Sequence, residues 1–389
     1  MAAGGCVGLN AVVIAAWFGF AVGLVVVLGT LASVVGTLVV PRGINSRISR
    51  AVDRSLDVGF LRLARRVSSF ERRDRIFAWQ SPLSLLARLT VWLGLLVCGF
   101  ALLLLPSVDG QIGKAFSDAG SSTFTLGYAA PAGTGSTTLE YLAAFTGLVV
   151  VGLQVGYLPT LYSAFNRRET EVSLLGSRAG VPAWGPEILA RTRWGIDDGD
   201  TLPVLEDLFT AWERWAAEVA ESHTTYLTLA RLRSPRAWSH WLTSLIAVMD
   251  AAALHLSLAP SREPKLAARL SLRMGFVALD QIARTMRLPV PDEPDPDGSV
   301  AVSYDEFRAA TAMLRGLGYP IETTDEEAWP HFRGWRANYD AAALLLARQL
   351  DAPPALWTGS RRWPSTPVPP QRPAARRARD ARNHRPRSH

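Results

Sequence analysis

The sequence predicts an all-α membrane protein: three transmembrane helices, one re-entrant loop between the second and third, a helical cytoplasmic domain and a disordered basic tail. Three observations carry that expectation. Hydrophobic residues make up 49% of the 389 and crowd into the first 165 positions. Arginines flank the apolar runs and stay out of their interiors. Beyond residue 168 apolar residues recur at helical spacing among charges, as on the helices of a globular unit.

The spans follow in order. Met1 to Pro41 holds no charged side chain, and Ala11–Val40 is almost unbroken apolar sequence. Leu89–Leu105 is a second uncharged run opening after Arg88, and Tyr141–Phe165 a third. A bilayer core is crossed by about 20 apolar residues, within a usual range of roughly 17–25. All three runs meet that length. The first lacks a basic leading segment and exceeds the roughly 7–15 apolar residues of a signal peptide, so it reads as a span. "AAGGC" ending at Cys6 faintly resembles a lipoprotein cleavage box, but no apolar stretch stands before it and no such signal is expected. Cys6 and Cys98 form no disulfide or metal pattern.

Orientation follows from the arginines. The segment Arg42–Arg75 carries ten of them against four acids. Short loops rich in Lys and Arg stay cytoplasmic. The N-terminus is therefore expected outside the plasma membrane, residues 106–140 outside, and the chain after Arg167 in the cytoplasm. Apolar Val58, Leu61, Val67 and Phe70 recur at helical spacing among the arginines. Two readings fit: a helix lying on the anionic inner leaflet, at roughly 1 kcal/mol per basic residue, or a solvated connector. The organisation read from these patterns is an N-terminal transmembrane helix (1–41), a basic connector (42–82), a membrane unit with outer helix, re-entrant loop and inner helix (83–168), a helical cytoplasmic domain (169–356) and an Arg/Pro-rich tail (357–389).

Between the second and third runs, Ile112–Phe124 mixes apolar and small residues over a length typical of a re-entrant helix. Backbone that is not helical exists at membrane depth only where protein or a water-filled cavity covers it. A short helix followed by "TFTLGY" therefore suggests a pore. Thr125-Leu126-Gly127-Tyr128 resembles the first four residues of the potassium-channel filter, Thr-Val-Gly-Tyr-Gly-Asp, and stands where that family places it. The resemblance covers roughly Leu83–Arg168. It implies a re-entrant pore loop and a homotetramer in which four copies of the loop replace the ion's hydration shell with carbonyl oxygens. On that basis Thr125, Leu126, Gly127, Tyr128 and Ala129 would line the filter and potassium would be the permeant cation, with no cofactor. The resemblance further implies a threonine hydroxyl ring at the cavity end and a tyrosine bracing the loop sideways. The family's second glycine is Ala129 here, its acid is Ala130, and Phe124 stands for a threonine. Alanine where φ > 0 is needed costs about 1 kcal/mol per subunit, or the loop bends differently. The ring of charge at the mouth would fall to Asp109, Asp118 or Glu140. The plain alternative is a chance tetrapeptide in a tight turn.

Leu139–Arg168 reads as one inner helix containing Gly147, Gly152, Gly156 and Pro159. In the channel family such residues let the helix bend at the gate. Each glycine fits either a hinge or close packing, Gly152 and Gly156 as a small-xxx-small pair, while Pro159 is expected to kink. Gln154 lines the cavity or packs on a neighbour. Asn166, Arg167 and Arg168 mark the membrane interface, with Tyr157 and Tyr162 in an aromatic belt. Arg167–Gly180 would couple gate to cytoplasmic domain.

In the cytoplasmic part, Leu205, Leu208, Phe209, Trp212, Trp215 and Val219 share one helical face. Ser303 and Glu306 form a capping box, and Gly316 and Gly318 close that helix. "PVPDEPDPDGS" (289–299) is a linker. Leu242–Ala259 is nearly apolar enough to span, but Asp250 costs about 2.5–3.5 kcal/mol at a bilayer centre. A buried helix is expected, with Asp250 paired to Arg231 or Arg273, and Asp280 similarly placed. There is no dinucleotide-type glycine loop, no metal spacing among the six histidines and no nucleophile constellation; His223, His240 and His255 are expected as packing or surface residues, and no enzyme is expected. The tail from Ser360 has nine arginines, one acid and six prolines, too few apolar residues to fold alone. Its partner is expected to be anionic lipid of the inner leaflet, with no specific nucleic acid. The functional expectation is passive cation conduction; the alternative is a membrane-anchored scaffold or binding protein that keeps the skeleton and does not conduct.

Overall fold

The computed structural model describes residues 3–40, 46–131, 133–193, 202–295 and 298–358. The tail expected over 357–389 lies outside them from residue 359 onward, as do residues 42–45 of the connector and the side chain of Cys6. Helices account for all regular structure among the described residues, and no strand occurs there. In chain order they are α1 (Ala3–Leu38), α2 (Arg47–Ala64), α3 (Phe70–Ala78), α4 (Gln80–Leu104), α5 (Ile112–Thr123), α6 (Thr134–Ala179), α7 (Gly185–Arg191), α8 (Leu202–Thr225), α9 (Thr228–Arg231), α10 (Trp241–Leu258), α11 (Lys265–Thr285), α12 (Tyr304–Gly316) and α13 (Asp325–Gln349). They fall into two compact units. One holds the described residues of Met1–Arg66 and Ile76–Ser163, the other those of Val67–Arg75 and Ala164–His389. The boundaries differ from those expected: the 42–82 connector is divided between the units, and the third apolar run belongs to a helix that continues to Ala179.

In the first unit α1, α4 and α6 are each long and apolar enough to cross a membrane. Small residues set how closely α1 meets α4. A Cβ on Gly23 would lie 2.6 Å from the Gly99 carbonyl oxygen, and one on Gly99 2.7 Å from Val27 Cγ2. Without a hydrophobic drive inside lipid, such backbone-close packing is what associates helices. The seam is completed by Trp92, whose Nε1 donates to Ser33 Oγ at 2.9 Å. Polar links hold α2 to α4: Arg88 donates to both oxygens of Asp53 at 3.0 and 3.2 Å, and Gln80 donates to Asp57 at 2.5 Å. The basic connector is not one continuous helix. It breaks after α2, so Val67 and Phe70 do not share a stripe with Val58 and Leu61, which remain exposed.

The second unit is built around α10. All its side chains are buried, and α7, α8, α11 and α13 pack around it. Its length and composition would suffice for a span, yet protein encloses it. Asp250 explains the choice. Arg336 Nη1 lies 2.5 and 2.7 Å from its two oxygens, and Tyr339 donates its hydroxyl at 2.6 Å. Arg336 also bonds Asp340 and the Trp357 carbonyl. The expected partners Arg231 and Arg273 are therefore replaced by Arg336, because α13 lies against α10 while Arg273 is exposed. Burial pushes the Asp250 carboxyl above its ordinary range, opposed by the Arg336 charge. Asp280 differs from the expectation too: it pairs with Arg284 one turn on, at the surface. The capping box of Ser303 and Glu306 is formed, and a second joins Thr324 to Glu327.

Arg168, expected at the membrane interface, is enclosed in this unit. It donates to the carbonyls of Leu229 (2.7 Å) and Leu232 (2.8 Å) and to His223 Nε2 at 3.1 Å. A guanidinium can only donate, so Nε2 accepts and the His223 ring is neutral. His240 caps α10 by accepting from the Leu242 amide, and His255 Nδ1 meets the Tyr319 hydroxyl at 2.7 Å. All three rings are buried, and burial holds each below the usual histidine pKa. Between the folded and the unfolded pKa the unfolded chain binds the extra proton. The stability each ring contributes is therefore complete above about pH 6.5 and falls as pH drops below it, by about 1.4 kcal/mol per pH unit for each ring in its window. Tryptophan-fluorescence melting of the full chain should show Tm several degrees lower at pH 5.5 than at pH 7.5; equal values would refute this.

Candidate functional site

The site begins where α4 ends. A 3-10 turn, Leu105–Val108, leads into Asp109 and Gly110, both in the left-handed region (φ 52° and 74°). The chain reverses there and enters α5, whose Ala115 and Ala119 are fully buried. Alanines on that face let α5 lie close to its neighbours. Its C-terminal residues Ser121, Ser122 and Thr123 then supply hydrogen-bonding groups where the helix leaves its last carbonyls free.

The following loop is tied back to α5 by its amides. Thr125 N–H donates to the Ser122 carbonyl at 3.0 Å and Leu126 N–H to the Ser121 carbonyl at 2.7 Å. Ser121 Oγ accepts from the amides of Tyr128 (3.1 Å) and Ala129 (3.2 Å). The Tyr128 hydroxyl reaches the Ser117 carbonyl at 3.1 Å, and Thr125 Oγ1 donates to the Phe124 carbonyl at 2.7 Å. Thr125 and Gly127 adopt φ of 55° and 72°. Gly127 does so freely; Thr125 is β-branched and held there against its preference. Ala129 is not in the left-handed region, so the loop takes the course in which an alanine fits.

The amides of Thr125, Leu126, Tyr128 and Ala129 thus all bond back to α5. Among the described residues no donor reaches the carbonyl oxygens of Thr125, Leu126, Gly127, Tyr128 or Ala129. Leu126 and Tyr128 are each 63% exposed in the single chain. Chemically, the loop offers a short run of free carbonyl dipoles on a frame fixed from behind. Such oxygens can take the place of water around a cation when several copies converge.

The four α6 positions separate in role. A Cβ on Gly147 would collide with the Thr123 carbonyl oxygen, so this glycine is where α5 and α6 touch. A Cβ on Gly152 or Gly156 would meet no neighbour within 4 Å among the described residues. The helix is continuous through Pro159, and it ends at Gly180 (φ 77°). Gln154 is buried. Asp118 and Glu140, expected to charge the mouth, are both buried, and Glu140 Oε1 has no hydrogen-bond partner; only Asp109 of the three is exposed.

Ser121 is the residue that sequence reasoning missed. Its signal is its place one turn before the Thr-Leu-Gly-Tyr run, where a short hydroxyl can reach forward to the loop's amides. No three His, Cys, Asp or Glu side chains among the described residues are grouped to hold a metal. Comparisons with protein-family models, with curated proteins and with solved structures find no match to this chain.

Proposed function

We propose that the chain is one subunit of a potassium-channel-like cation channel, with the 125–129 loop as its re-entrant filter and four copies around one axis. One observation carries the reading: the amides of Thr125, Leu126, Tyr128 and Ala129 bond back to α5, while among the described residues no donor reaches the carbonyl oxygens of 125–129. Carbonyl oxygens without protein donors can replace an ion's hydration shell when several copies converge on one axis. The exposed apolar side chains of α6, among them Tyr141, Phe145, Leu148 and Val155, supply faces for lipid or for other copies. In this arrangement α4 is the outer helix, α6 the inner helix that gates, and the arginine-rich connector favours a cytoplasmic second unit. Conduction is passive, and potassium is the first ion to test. The second reading, a non-conducting scaffold, draws on Ala129, whose conformation departs from the glycine of the family's filter.

The test is the reversal potential of the purified protein in planar bilayers with potassium opposite sodium. A value near the potassium equilibrium potential supports the proposal, and one near zero with measurable current replaces it with a nonselective pore. Ser121→Ala strands two amides at about 1–3 kcal/mol and should move the potential toward zero. Silence in wild type together with a monomer in mild detergent would leave the scaffold reading.

A further inference from the structure

Val67–Arg75 reads "VSSFERRDR", sequence suited to a solvated basic linker. Its packing is otherwise, since Phe70 and Asp74 are each only 7% exposed. The Phe70 ring lies 5.0 Å from that of Trp238, and Trp238 Nε1 donates to Glu71 Oε1 at 3.2 Å. Arg73 Nε donates to Asp351 Oδ2 at 2.9 Å while its guanidinium covers the Phe70 ring at 5.6 Å. Asp74 pairs with Arg233 at 3.2 Å, and Arg233 also bonds the carbonyls of Leu350 and Asp351.

These are two ion pairs of opposite sense on neighbouring residues. Arg73 meets an acid and Asp74 meets a base, so a shift by one residue would set like charges together. Such an arrangement fixes register as well as attachment. Three stretches distant in sequence, 70–74, 233–238 and 350–351, close into one joint of the second unit. On either side of it the chain belongs to the first unit, at Arg66 and again at Ile76. The docked residues open α3, which runs to Ala78, two positions before α4 starts. A helix passes displacement along its axis, where a flexible linker would absorb it.

We propose that residues 67–75 form a strap through which the second unit acts on α4. While the two ion pairs and the Phe70–Trp238 contact hold, α4 keeps one position; when they open, α4 is released. Because α4 packs on α5, the strap is a route to the 125–129 loop separate from α6. Its action on conduction rests on the channel reading above, and its action on α4 does not.

The test uses the full chain in lipid nanodiscs, with Cys6→Ser so that the exposed Cys98 of α4 is the single labelling site for an environment-sensitive fluorophore. Arg73→Ala and Asp351→Asn are made singly and together; asparagine suits the φ of 48° at position 351. Each single change should raise hydrogen exchange of the 69–75 amides by about tenfold, as loss of a partly buried pair does, and shift the Cys98 emission. The double variant should add little to either. Unchanged exchange would show that the pairs do not hold the strap. Raised exchange with an unmoved Cys98 signal would show that it transmits nothing. Either result overturns the proposal. A Cys98 response in a protein that carries no current would instead remove the channel reading and leave the strap standing.

Discussion

Asp250→Ala should cost the second unit about 3 kcal/mol or more, a large share of the roughly 5–15 kcal/mol that holds a domain together. The reason is what stays behind. Arg336 is wholly buried and would keep its charge with Asp340 alone as acid partner. Removing one member of a buried pair strands the other, and the penalty exceeds anything the pair added to stability. Arg336→Met strands two carboxylates and should be at least as harmful. The triple variant Asp250→Leu, Arg336→Met and Asp340→Asn removes the three charges of this cluster together. It should recover much of the loss, because apolar replacements of buried pairs are often neutral. Thermal and denaturant melting of the full chain, followed by tryptophan fluorescence, measures all three. An Asp250→Ala protein within about 1 kcal/mol of wild type would mean that water reaches Arg336.

Gly147→Ala should disrupt the loop although it lies in another helix. The added methyl would strike the Thr123 carbonyl oxygen, which is backbone and cannot swing aside as a side chain does. Overpacking of this kind costs about 1–3 kcal/mol, and relief requires α5 and α6 to part. Ser121 stands two residues before Thr123, so the groups that hold the amides of Tyr128 and Ala129 move with it. The expected result is faster hydrogen exchange at those amides and, where current is recorded, a loss of ion discrimination. Gly152→Ala is the internal control. Nothing lies near that position in the single chain, and alanine is about 1 kcal/mol better than glycine inside a helix. Equal behaviour of the two variants would show that Gly147 does not set the α5–α6 distance.

Much of the secondary structure was legible because composition alone specifies it. Three uncharged runs became long helices, Ile112–Thr123 became the short helix before the loop, and Ser303 with Glu306 closed a capping box. What stayed hidden depends on contact. Arg336 is 86 residues from Asp250 in sequence, and nothing local distinguishes it from Arg273. Within an apolar run Gly23 and Gly99 look like any small residue, and only the crossing of two helices gives them a task. At the candidate site the Thr-Leu-Gly-Tyr stretch drew notice, while the serine that fixes it did not, since hydroxyls are common in turns. Asp118 and Glu140 show the opposite error: charge was read as exposure, and packing against α5 and α6 decides otherwise.

The glycine seam between α1 and α4 has a mechanical consequence. Side chains that interdigitate can slip by changing rotamer, but backbone against backbone has no such freedom. The two helices therefore travel as one part, and a push on α4 must carry α1 with it. Any displacement of α4 is then a displacement of two membrane-length rods, and is slower than the motion of one helix alone. The N-terminal helix would then add its own drag to whatever motion α4 makes.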